Sequence, residues 1–196
     1  MKIKKIFLVL IIYFFSFNNL YSLEPDIFVQ STVNRASKVL SDDISKERKI
    51  QELQNIAKET VDIVGIGFYT LGSARKNLTS DQKAKYTNLF ERYFLKSFAS
   101  RLAEYTNPEI DVLGKEVLNE KYTIVNSLLK GTNERPEVKI DWRIYTKNPN
   151  NPLIRDLIIE GLSLARTQKE EFSSILNSNQ NDINVLFKTL EEFSKQ

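Results

Sequence analysis

Hydrophobic positions recur along this chain with several distinct spacings, and each spacing predicts a different kind of element. Near the start, Ile6–Phe17 is an almost unbroken apolar run, preceded by Lys2, Lys4 and Lys5 and followed by the polar Asn18, Asn19 and Ser22. Pro25 suits the first turn of a helix. Beyond it Val29, Val33, Ala36 and Leu40 follow at steps of four, three and four, which is one helical face. Residues 46–60 repeat the pattern with Ile50, Leu53 and Ala57. Val61–Leu71 is denser in apolar residues and ends at Gly72, and its internal Gly65 and Gly67 weaken the case for a regular helix there. Thr79 and Gln82 then make a capping-box pair ahead of a long stretch carrying Tyr86, Phe90, Tyr93, Phe94, Phe98 and Tyr105. Asn107–Pro108 predicts that this helix stops near Tyr105, at a length approaching ~40 Å.

From Glu109 the period drops to two. Val138, Ile140, Trp142 and Ile144 alternate with Lys139, Asp141, Arg143 and Tyr145, the pattern of a strand with one covered and one wet face. Residues 110–118 and 121–130 read as its neighbours, joined at Asn119–Glu120. A fourth strand is expected over 153–160, after turns at Gly131–Pro136 and Asn148–Pro152. Amphipathic helices over Ser163–Leu176 and Asp182–Phe193 close the chain. Short links between consecutive strands favour antiparallel pairing. The expected class is therefore α+β: helices packed on one face of a small curved antiparallel sheet of about four strands.

The apolar run at the start fits the 7–15-residue core of a secretory signal peptide and is shorter than the ~20 residues of a membrane-spanning helix. Residues 1–22 are thus read as a signal peptide cleaved near Ser22–Leu23, and 23–196 as a single exported domain. An uncleaved anchor is the alternative. Removing residues 1–22 takes three Lys and no acid from a chain of 28 basic and 25 acidic residues, leaving 25 of each. A chain near neutrality loses the case for nucleic-acid binding, which leans on a basic surface. The sequence has no His and no Cys. That rules out disulfides, cysteine lipidation, His-based catalytic triads and the usual zinc ligand sets. No metal or cofactor is expected.

Three features could carry chemistry. The aromatic residues of the long helix are either ordinary core or one wall of an apolar cavity, and their spacing fits both. Asp156 and Glu160, with Gly161 and Ser163, invite an acid–base and nucleophile reading. On a strand, however, positions 156 and 160 sit ~13 Å apart, beyond the reach of a glycosidase pair. Ser163 as a helix cap and Gly161 as a turn residue explain the group without catalysis. Gly65, Gly67 and Gly72 are too loosely spaced for a phosphate loop and read as turn or close-packing glycines.

Taken in order, Ile63–Gly72 (IVGIGFYTLG), Leu78–Gln82 (LTSDQ), Phe90–Tyr105 (FERYFLKSFASRLAEY), Trp142 in IDWRIY, Ile154–Ser163 (IRDLIIEGLS) and Gln168–Ile175 (QKEEFSSI) resemble the MlaC, or toluene-tolerance, family. The resemblance covers Asp26 to Phe193. The chain departs from the family pattern at Asn150–Leu153, where the next strand is expected to start late. The resemblance implies a periplasmic phospholipid carrier, not an enzyme. Its acyl tails would enter an apolar cavity between helices and sheet. Its partners would be an inner-membrane ABC transporter complex and an outer-membrane lipoprotein–porin complex, and its role the upkeep of outer-membrane lipid asymmetry. On this reading Phe68, Leu71, Phe90, Phe94 and Phe98 contact lipid from the helical side. Ile124, Trp142, Leu157 and Ile159 do so from the sheet. A monomer is expected. The rival readings are a carrier of another lipid such as a hopanoid, a carboxylate-based hydrolase, and a structural protein with a filled core.

Overall fold

The structure, a computed structural model, describes residues 23–133 and 135–195. The expected signal peptide, residues 1–22, lies outside the described residues. Pro25 opens α1 (Pro25–Ser41), and Val29, Val33 and Leu40 are buried on one stripe of it. Ser45 caps α2 (Lys46–Thr60), accepting from the Arg48 N–H at 3.2 Å. Thr79 and Gln82 bond reciprocally at the start of α4 (Ser80–Leu102), at 3.2 and 3.0 Å, so this capping box forms as its sequence predicts.

Two expectations about the helices change. Ile63–Thr70 is a regular helix, α3, despite its two glycines. Asp62 caps it, accepting from the Gly65 N–H at 2.8 Å. The glycines are there because neighbours press on them: a Cβ at Gly65 would lie 2.5 Å from Cζ of Arg155, and one at Gly67 would lie 2.8 Å from Cδ1 of Phe90. Helix α4 also stops three residues short of Tyr105. Its last bonds tighten, with Glu104 N–H reaching the Arg101 carbonyl and Tyr105 N–H the Leu102 carbonyl, the usual way a final turn frays into a 3-10 turn. Asn107, at φ +49°, then turns the chain away.

Strands β1 (Ile110–Asn119), β2 (Tyr122–Leu129), β3 (Val138–Tyr145) and β4 (Leu153–Ile159) form an antiparallel meander, and β5 (Leu162–Ser163) adds a short fifth strand. This last hairpin was not expected. Glu160 and Gly161 both take positive φ, +49° and +80°, the geometry of a tight two-residue turn. Val125, Trp142 and Leu157 stand opposite one another across β2, β3 and β4, so they share the inner face. A bulge at Arg143/Ile144 sets Ile154 beside Ile144 and Asp156 beside Arg143, leaving Arg155 as the extra residue. Helices α5 (Leu164–Ser178) and α6 (Ile183–Lys195) complete the cover.

The layers are not uniformly apposed. The sheet packs chiefly on α1, α3 and α5, whereas α4 packs chiefly on α2, α3 and α6.

Candidate functional site

Residues 86, 90, 94 and 98 recur every fourth position, so one line of α4 carries Tyr86, Phe90, Phe94 and Phe98. Their rings touch in series: Tyr86 to Phe90 at 5.7 Å between centroids, Phe90 to Phe94 at 6.1 Å, and Phe94 to Phe98 stacked at 5.6 Å. Phe172 of α5 meets Phe90 edge-on at 6.3 Å. Such pairs add about 0.5–1.5 kcal/mol each beyond the area they bury.

The line is fixed at one end only. Tyr86 is 1% exposed and its hydroxyl donates to the Gly67 carbonyl at 3.1 Å, with Thr70 Oγ1 2.8 Å away. Burial pushes the Tyr86 phenol well above its ordinary range. Phe90 is also buried, against the bare face of Gly67. Tyr93, Phe94 and Phe98 are only half-buried. Burial raises the Tyr93 phenol too, and its hydroxyl donates to Oε1 of Gln168 at 2.8 Å.

On the sheet, the Trp142 indole N–H donates to Ser127 Oγ at 2.8 Å, and Ser127 in turn donates to the Ile140 carbonyl at 2.9 Å. Two polar side chains at the centre of the inner face, Trp142 and Ser127, are thus paired there rather than left free. Half-buried Ile110, Val112, Leu129, Val138 and Leu157 fringe it.

Seven of the nine residues expected to contact lipid fall in one apolar cluster: Phe68, Leu71, Phe90, Phe94, Phe98, Trp142 and Leu157. Within it Leu71 and Phe90 are core, each 2% exposed, while Phe68, Phe94, Phe98 and Leu157 lie on its half-buried flank. Ile159 stands opposite Ile140 and so shares the inner face. Ile124 does not join them. It pairs with Arg143 in register, on the opposite face from Trp142. The period-2 alternation fixed which strand residues share a face, but placing Ile124 with Trp142 required an odd step between adjacent strands that this register lacks. Val125, one residue along, is the inner-face residue at that point.

The carboxylate group resolves as architecture. Asp156, almost wholly buried, accepts from the Ser163 hydroxyl at 2.6 Å and the Ala165 N–H at 3.0 Å. Ser163 Oγ also accepts from the Arg166 N–H at 3.1 Å, so Asp156 and Ser163 together lock the start of α5 onto β4. Glu160 accepts from the Lys139 N–H in the β4–β5 turn. Arg155, displaced by the bulge, pairs with Asp62 at 2.6 Å and lies over the Tyr145 ring at 4.8 Å. Among the described residues no cluster of three or more acidic side chains is placed to hold a metal ion.

Comparison with known proteins bears on this arrangement. The sequence profile of the family described as MlaC protein matches residues 30–192. This chain belongs to the MlaC family. Among solved structures, a phospholipid-binding protein from Ralstonia solanacearum, determined in complex with a phospholipid, has the same fold. It aligns with a TM-score of 0.73 at 20% identity, over 87% of this chain and 97% of that one. No curated protein matches the sequence significantly.

Within this MlaC-family chain, Tyr93, Val112, Leu129 and Val138 belong to the interlayer flank and were missed as candidates. The signal for the strand residues was present: Val112, Leu129 and Val138 sit on the same alternation as Trp142. Tyr93 belongs to the aromatic set of the long helix, and its hydroxyl is taken by Gln168.

Proposed function

We propose that this protein is a phospholipid carrier whose acyl tails lie between the second half of α4 and the inner face of the sheet. The observation that carries the reading is the half-buried aromatic flank of Phe94 and Phe98, in one apolar cluster with the inner-face residues Trp142 and Leu157, where the Trp142 indole N–H is already paired. A second layer of hydrocarbon could join such a flank without stranding a hydrogen bond. Membership of the MlaC family and the fold shared with a phospholipid-binding protein support the same reading.

Energetics then dictate where the cargo can move. Two acyl chains of about 30 methylenes are worth roughly 24 kcal/mol against water. Against a bilayer the same chains gain about nothing. Exchange therefore needs a docked donor or acceptor, and in this reading those are an inner-membrane ABC transporter complex and an outer-membrane lipoprotein–porin complex. Residues 1–22, as a cleaved signal peptide, would deliver a monomeric domain to the periplasm between them. Traffic of this kind maintains outer-membrane lipid asymmetry.

Native mass spectrometry of protein purified from the periplasm without detergent tests the reading. The expected spectrum shows the mature chain carrying a phospholipid mass. Lipid-free protein throughout would overturn it.

A further inference from the structure

A second feature lies on the outer side of the helices. The outward stripe of α5 and the end of α3 frame a groove of about 520 Å³, a volume typical of small-ligand sites. Tyr69, Arg166, Lys169, Ser173, Ser174 and Asn177 line it, with Glu170 as the acid among them. The inward stripe of the same helix buries Phe172 and Leu176, so the groove and the apolar interlayer are separated by α5 itself.

The groove is cationic on a chain that is otherwise balanced. Lys169 Nζ sits over the Tyr69 ring at 5.2 Å, which holds the ammonium in place without neutralising it. Gly72, at φ +56°, lets the Lys169 stem pass close, since a Cβ there would be 3.2 Å from Lys169 Cε. Arg75 and Lys76 follow in the 3-10 turn Ala74–Lys76, both exposed. Among the described residues, none of Arg75, Lys76, Arg166 and Lys169 makes an ion pair. Unpaired cations beside two serine hydroxyls and a side-chain amide make a donor-rich surface. A guanidinium fork is matched to the tetrahedral oxygens of phosphate.

We propose that this groove binds the phosphate of a phosphoester, with Arg166 and Lys169 supplying the charge and Ser173, Ser174 and Asn177 the neutral donors. The site is separate from the interlayer and stands or falls independently of the carrier reading. The phosphate could belong to a small soluble phosphoester or to a lipid headgroup at a membrane surface.

Amide chemical-shift mapping of the mature protein at low salt tests it, with inorganic phosphate and glycerol 3-phosphate as soluble probes. Co-flotation with phosphatidylcholine vesicles, with and without phosphatidylglycerol, forms the membrane arm. The expected result is a saturable response confined to residues near 69–76 and 166–178, weakened roughly tenfold or more in the Arg166→Gln/Lys169→Gln double variant. Lys188→Gln, at an exposed position of α6, should leave it unchanged. Shifts with soluble phosphoester alone assign a small-molecule source. Flotation that needs phosphatidylglycerol and is lost in the double variant assigns a headgroup. Absence of both responses, or equal responses in the double variant, overturns the proposal.

Discussion

The two halves of α4 carry the same aromatic repeat and put it to opposite uses. In the first half, Tyr86 and Phe90 are buried, the former bonded to Gly67 and the latter pressed on the same glycine. In the second half, Phe94 and Phe98 stack on each other but stay half-buried, with the sheet packed chiefly on other helices. The difference lies in what each half meets. A glycine-bearing helix can approach to backbone contact, as Gly67 does beneath Phe90, whereas the sheet packs chiefly on α1, α3 and α5 and leaves Phe94 and Phe98 part-exposed. The same spacing therefore yields a rigid anchor at one end and a surface able to accept hydrocarbon at the other.

Truncating the anchor should have the largest effect. Phe90→Ala removes a fully buried ring, and a loss of about 3–5 kcal/mol is expected, read as a lower urea midpoint at unchanged slope. If Phe98→Ala cost as much, the contrast between the halves would vanish. A smaller effect follows at Tyr86. Tyr86→Phe leaves Thr70 still bonded to Gly67 at 2.7 Å, so a loss of about 1 kcal/mol is expected at neutral pH. Its pH dependence is more telling. Burial holds the folded phenol above the ordinary value of about 10, so the stability it confers is complete below that value. It is lost as the pH rises above about 10, where the unfolded chain begins to ionise first. Urea midpoints measured across the alkaline range should fall less steeply in Tyr86→Phe than in the parent, with the remaining slope owed partly to Tyr93, which is shifted in the same direction.

The open half should lose little stability for the number of rings removed. Phe94→Ser with Phe98→Ser together should lower stability by only about 1–2 kcal/mol, less per ring than Phe90→Ala, since each ring is already part-solvated. Lipid carried through purification should nonetheless fall well below that of the parent, measured by extraction and mass spectrometry. Unchanged occupancy would remove these two rings from the tail site.

Much of this was legible in the sequence because it depends on local chemistry. The capping box at Thr79 and Gln82, the alternation centred on Trp142 and the cap at Ser163 each fix an element within a few residues. What could not be read depends on partners distant in the chain. Gly65 and Gly67 look like helix breakers until Arg155 and Phe90 are seen to need their missing side chains. Leu71 and Phe90 look like cavity wall until their burial places them in the anchor. Ile124 needed the strand register, and the β4–β5 hairpin needed two positive-φ residues, of which only Gly161 announces itself.

The chain holds a single tryptophan, Trp142, and it stands on the inner face of the sheet. Its fluorescence therefore reports on the proposed tail site without labelling the protein. Loading with phospholipid that bears a nitroxide midway along an acyl chain should quench Trp142 strongly, and the same label on the headgroup should quench it far less. Stoichiometric lipid binding with no chain-dependent quenching would place the tails elsewhere and contradict the account.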